Sequence, residues 1–166
     1  MQLQKLTEAM IEYMGGDARR IQHFTKVHAF ANLIGRQERL NAATQFILEA
    51  AALTHDIGIK NGEAKFGAGK CSGKTQELEG PPVAAELLAR LGFTDAVCER
   101  VCYLIGHHHS YDNIEGLDYQ ILVEADFLVN FYEDGLSQAA IKTACARIFK
   151  TESGLKLCRQ MYGIEV

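Results

Sequence analysis

Apolar residues along the chain recur at helical spacing, in stretches separated by short glycine-rich or polar breaks. Leu3 to Met14 places Leu6, Met10 and either Met14 or Tyr13 a turn apart, a helix that Gly15-Gly16 ends. Asp17 can cap the next helix, about Ala18 to Gly35. At about 100° per residue, Val27, Phe30 and Ile34 lie within roughly 40° of His23, whereas His28 is turned about 140° away. His23 therefore sits in the middle of an apolar stripe. Asn41 to Leu53 is a third helix, ending in the alanine-rich apolar run Phe46 to Leu53. From Ile59 to Thr75 the periodicity stops: glycines 62, 67, 69 and 73 and lysines 60, 65, 70 and 74 predict a long loop. Helical spacing returns over Gly80 to Leu91, with Pro81 and Pro82 in a first turn where no N–H is needed. It continues over Asp95 to Ile105, which runs into Gly106-His107-His108-His109. After a turn-rich stretch, Ser110 to Gly116, the segment Leu117 to Tyr132 is apolar almost all round, as a central buried helix should be. Ser137 to Lys150 and Gly154 to Tyr162 read as two closing helices. The pattern predicts an all-α, single-domain helical bundle over residues 1–166.

Composition narrows this picture. A chain of 166 residues that is 48% hydrophobic with two prolines can bury one real core. A net charge of -4 gives no support for nucleic acid as a partner, since such proteins carry a basic stripe. Five cysteines, an odd number with no Cys-x-x-Cys pair, argue for a reducing compartment. Glu8 and Glu12 interrupt the first helix, no cleavage signal follows, and no apolar run reaches membrane-spanning length. The expectation is a cytoplasmic protein with neither nucleic-acid nor membrane partner. Oligomeric state stays open, a homodimer being compatible with the apolar positions of the first and last helices.

Chemistry is concentrated in a few polar residues on apolar faces. His55-Asp56 closes the run that begins at Phe46, His23 faces the core, and Asp126 interrupts the most apolar helix. A buried carboxylate without a partner is expensive. Two imidazoles and two carboxylates around one divalent cation would remove that cost, and such a set suits iron, manganese, cobalt, nickel or zinc. A second segment, Gly67-Ala68-Gly69-Lys70-Cys71-Ser72-Gly73-Lys74-Thr75, has the look of a phosphate-binding P-loop. It fails the motif: four residues must separate the first glycine from Gly-Lys-Thr, whereas Gly69 leaves three and Gly67 five, and no strand precedes it. Its lysines still make it a candidate cationic lid.

His23, His55-Asp56 and Asp126, in that order, resemble the HD-domain superfamily of metal-dependent phosphohydrolases. Arg20-Ile21-x-His23-x-x-x-Val27-x-x-x-Ala31 is similar to the segment with the family's first His. Ala51-Ala52-Leu53-Thr54-His55-Asp56-Ile57-Gly58 resembles its central motif, and Val123-Glu124-Ala125-Asp126-Phe127-Leu128 the helix with its final Asp. The resemblance spans about residues 18–132 and implies a helical bundle holding a divalent metal on His23, His55, Asp56 and Asp126. It further implies hydrolysis of a phosphate ester, of a nucleotide or similar small metabolite, with the cation acidifying water and polarising a phosphoryl oxygen. Asp56 and His108 are the catalytic candidates, His107 to His109 supplying the general acid. Arg20, Lys60, Lys74 and His107 are the candidates for neutralising the substrate's oxygens, together with Lys65 and His108.

Two departures from the family pattern are visible. Members with two metals carry a His before a Gly-Pro helix start, where Glu79 stands here before Gly80-Pro81. A second site would therefore be built from Glu79 with His108 or His107. Some members also have Lys directly after the central glycine, but Ile59 intervenes before Lys60. The alternative functions are a two-metal phosphodiesterase acting on cyclic or linear dinucleotides, and a non-catalytic nucleotide or metal sensor using the same pocket.

Overall fold

Side chains that the sequence places at helix starts cap five helices. Asp17, Asn41, Ser72, Ser137 and Thr151 each accept a hydrogen bond from the backbone N–H three residues on. In this computed structural model, which describes residues 1–165, nine α-helices follow one another and the described residues contain no strand. They are α1 (Gln2–Tyr13), α2 (Ala18–Gln37), α3 (Ala42–Thr54), α4 (Ile59–Phe66), α5 (Gly73–Arg90), α6 (Asp95–Ile105), α7 (Leu117–Glu133), α8 (Gln138–Ile148) and α9 (Glu152–Tyr162). The all-α expectation holds.

At the centre lies α7, whose Tyr119, Ile121, Leu122, Val123, Ala125, Leu128 and Phe131 are all buried. It packs on α2 and α3, which pack on each other. Next, α3 leans on α6, and α6 on α5. The alanines 50, 51 and 52 of α3 are fully buried, and side chains this small let neighbouring helices approach closely. One continuous apolar cluster runs from Leu6 and Met10 of α1 through Phe24, Leu48 and Leu104 to Cys158 of α9. No helix among the described residues is long and apolar enough to cross a membrane.

Two expectations need correction, both in one region. The stretch 59–75 is not a long loop, because Ile59–Phe66 forms α4 and only residues 67–72 are irregular before α5 begins at Gly73. The reason is tertiary. Gly62 on α4 meets the beginning of α5 so tightly that a Cβ there would lie 2.1 Å from Cys71 Sγ. Helical propensity is poor in this segment, and packing overrides it. For the same reason Pro81 and Pro82 stand inside α5 rather than in its first turn. Ser72 starts the helix two turns earlier, and Gly80 lacks the Cβ that proline's ring would crowd. The absent Cβ of Gly58 also matters, since it would sit 2.6 Å from Gly80 N and 2.7 Å from Gln76 O. The chain leaving His55-Asp56 is thereby pressed backbone to backbone onto α5.

Candidate metal centre

His23 reaches the interior from the second turn of α2, His55 and Asp56 from the end of α3, and Asp126 from the middle of α7. His23, His55 and Asp126 are buried, and Asp56 is partly so. Their donor atoms converge. His23 Nε2 lies 3.1 Å from His55 Nε2, 3.4 Å from Asp56 Oδ2 and 3.2 Å from Asp126 Oδ1. His55 Nε2 lies 3.5 Å from Asp56 Oδ2 and 3.6 Å from Asp126 Oδ1.

The other ring nitrogens explain which atoms face inward. His55 Nδ1 bonds to Ala52 O at 2.9 Å and so carries the proton, leaving Nε2 with its lone pair. His23 Nδ1 is 2.9 Å from Glu133 Oε2, which Lys26 Nζ holds from the other side at 2.5 Å. A carboxylate or carbonyl behind each imidazole is the arrangement that orients histidine ligands on a metal. Two Nε2 atoms 3.1 Å apart cannot share more than one proton, and one oxygen of Asp56 and one of Asp126 each lie within 3.6 Å of both. Donors each about 2.1 Å from one ion, at angles from square to tetrahedral, lie about 3.0–3.4 Å from one another. The observed separations, 3.1 to 3.6 Å, lie within or just beyond that range, and the donor chemistry suits a divalent cation.

Without such an ion the charges settle among themselves. Burial disfavours a charged His55, yet Asp56 and Asp126 outweigh it and bring the imidazole up to about 9. Burial likewise opposes ionisation of Asp56 and Asp126, and the neighbouring histidines hold both well below the usual carboxylate range.

A second group of donors adjoins the first. Asp56, His108 and His109 offer one atom each within 4.8 Å of one another. His108 is buried, its Nδ1 is 2.7 Å from Ile105 O, and its Nε2 faces Asp56 Oδ1 at 3.6 Å without any hydrogen-bond partner. Asp56 thus presents one carboxylate oxygen to each group. Glu79 is engaged elsewhere, accepting from Lys65 Nζ at 2.6 Å. His109, not Glu79, completes the cluster around His108. Burial and the neighbouring His108 push the His109 imidazole down to about 4.

Of the residues expected to meet substrate, Arg20 alone lines the cavity over the first cluster. That cavity, about 420 Å³, is bounded by Asp17, Arg19, Arg20, His23, Asp56, Ile59, Asn130 and Glu133. Arg20 is braced by Asp17 at 2.8 Å and Glu63 at 2.7 Å. Lys60 is turned to α1, where Nζ donates to Tyr13 O at 2.5 Å and lies over the Tyr13 ring. Lys74 is exposed on the first turn of α5, and His107 is exposed with Nδ1 on Tyr103 O at 2.7 Å.

Sequence reasoning missed Arg19, Glu133 and Asn130. The last two had a signal: on α7 they follow Asp126 at i+4 and i+7, the same helical face. Asn130 Nδ2 donates to Asp126 Oδ1 at 2.9 Å.

Comparison with known proteins agrees with this geometry. A sequence model described as the HD domain matches residues 20–150. Among solved structures, the chain is similar to the crystal structure of a predicted HD superfamily hydrolase from an uncultured Thermotogales bacterium. The two share 25% identity with a TM-score of 0.68, over 96% of this chain and 84% of that one. No curated protein matches the chain.

Proposed function

The chain belongs to the HD domain family, and from that premise we propose that it is a metal-dependent phosphohydrolase. Its substrate on this reading is a nucleotide or similar small phosphate ester. The observation that carries the proposal is the convergence of His23 Nε2, His55 Nε2, Asp56 and Asp126 on one point. His23, His55, Asp56 and Asp126 would hold the cation. Held there, a divalent cation supplies Lewis acidity to a phosphoryl oxygen and makes a water molecule far more acidic.

The chain's own residues do the rest. Arg20 and Arg19 line the cavity beside Asp56 and present guanidinium groups to the anionic oxygens of a phosphate. Glu133 and Ala52 O keep the two imidazoles in the orientation that turns Nε2 inward. His108 is the general-acid candidate, because its Nε2 lacks a partner and faces Asp56.

A second reading rests on the same atom. His108, His109 and Asp56 would hold a second ion, and two ions would supply the chemistry of a phosphodiesterase for cyclic or linear dinucleotides. The two readings exclude each other at His108, which cannot both ligate and donate a proton.

Elemental analysis of chain purified without chelator or affinity tag, followed by phosphate-release assays on the same preparation and on Asp56→Ala, separates the outcomes. One ion per chain with release lost in the variant supports the hydrolase. Two ions move the assay to phosphodiesters. Bound metal with no turnover on either substrate class points to a ligand sensor, and no metal at all overturns the proposal.

A further inference from the structure

The cavity over the metal cluster is lined almost entirely by charged and amide groups, with Ile59 its sole apolar residue. Such a surface suits a phosphate and offers little to the organic part of an ester. A different surface lies on the flank of α7, one residue on from Asp126. There a cavity of about 520 Å³ is bounded by Tyr111, Phe127, Ala140, Thr143, Arg147 and Ile148. It exists because the face of α8 opposite Phe127 is built from small residues, so the two walls stand apart. A smaller cavity of about 270 Å³ shares Tyr111, Arg147 and Ile148 and adds Lys150. The two form one trough, apolar at one end and cationic at the other. Ligand sites have this size and this mixture of apolar wall and few polar groups.

Three polar groups of the trough are unengaged. Arg147 makes no ion pair or hydrogen bond among the described residues, and only the backbone N–H of Lys150 is used, by Glu124. Tyr111 is half-buried, yet its hydroxyl has no hydrogen bond among the described residues. The phenols of Tyr13, Tyr103, Tyr119 and Tyr162, by contrast, all donate to protein oxygens. Burial pushes the Tyr111 phenol up to about 12, so it remains a donor at neutral pH. Tyr111 follows His109 by two residues and Phe127 follows Asp126 by one, and the two rings meet edge to face with centroids 5.2 Å apart, so both donor groups are continuous along the chain with a wall of the trough.

We propose that this trough is the specificity subsite, holding a flat aromatic part of the substrate over Phe127 and Ile148 while Arg147 and Lys150 bind a second anionic group. The substrate class is then a phosphate ester whose aromatic body carries an anion of its own. That it is the substrate which binds rests on the hydrolase reading; that the trough takes an aromatic anion does not.

The two parts are tested separately. Anilinonaphthalene sulfonate, an aromatic anion, is titrated by fluorescence into the full chain and into Ala140→Trp, which fills the apolar end from an exposed helix position. Arg147→Glu reverses the cationic end, and Lys142→Glu on the same helix controls for net charge. Binding weakened about tenfold or more in the first two variants, with the control and the metal content unaltered, supports the subsite. Equal binding in all four chains, or none in the unsubstituted chain, overturns it. In the second arm, KM for a nucleoside bisphosphate relative to phenyl phosphate is expected to rise about tenfold in Ala140→Trp and Arg147→Glu. An unchanged ratio overturns the role in substrate selection. Failure of every chain to release phosphate would count against the hydrolase reading alone, and the fluorescence titration would still decide the trough.

Discussion

Glu124 and Asp126 stand two residues apart on α7, both buried, and are used in opposite ways. Glu124 is satisfied entirely by donors. It accepts from Gln120 Nε2 at 2.7 Å, Lys150 N at 2.6 Å, Thr151 N at 2.9 Å and Thr151 Oγ1 at 2.5 Å, and so ties α7 to the start of α9. Asp126 has one such donor, Asn130, and otherwise faces the Nε2 atoms of His23 and His55, which can donate to it only when the imidazoles are protonated. Their acidities diverge accordingly. Burial raises Glu124 in spite of its four hydrogen bonds, whereas the histidines hold Asp126 far below the usual range in spite of its burial. A buried carboxylate is therefore not in itself the mark of a site. What marks one is a partner set that a cation completes and the chain alone does not.

Substitutions should separate the two carboxylates cleanly. The largest effect is expected for Asp126→Ala, with metal retention lost and phosphate release down by about a thousandfold, while the chain stays folded by circular dichroism. Glu124→Ala should do the reverse. Leaving the Lys150 and Thr151 N–H groups without their acceptor costs about 3 kcal/mol, read as a melting temperature lower by about 6–12 °C, with metal per folded chain unchanged. If that variant instead loses metal at full stability, the division between the two residues is wrong. Glu133→Gln tests the support behind His23 and is expected to weaken metal affinity about 10–100-fold without shifting the melting temperature of the metal-free chain by more than a degree or two. The smallest change belongs to Asn130→Ala. Removing one hydrogen bond to Asp126 should weaken metal binding about fivefold in a competition titration against a chromophoric chelator.

The comparison also explains what the sequence could reveal. His23, His55 and Asp126 were legible because each interrupts an apolar face, and helical periodicity turns such an interruption into a direction. Glu124 obeys the same pattern, and periodicity alone says nothing about what an acid finds when it arrives. Its partners, Lys150 and Thr151, lie 26 and 27 residues away. Glu79 shows the converse limit. Its position before Gly80-Pro81 suggested a ligand, but that reading placed the prolines at a helix start. With α5 beginning at Gly73, Glu79 lies inside the helix and meets Lys65 of α4. α4 itself was invisible because glycines and lysines carry no apolar rhythm, and its stability comes from the close approach of Gly62 to Cys71. Local pattern located what faces the core; contacts made at long sequence separation decided the remainder.

The backbone contact between Gly58 and α5 has a wider consequence. The same helix that receives Gly58 also grips the segment after α6, where Glu77 Oε1 accepts from His109 N and Ser110 Oγ, and Gln76 Oε1 meets His109 Nε2. α5 contributes no atom to the His23 cluster, yet it works as a gauge block between two tools. One edge sets where Asp56 stands, and the other sets where His108 and His109 stand. A displacement of α5 along its axis would change the gap between both sets of donors together, so the spacing of the whole centre is held by a helix outside it.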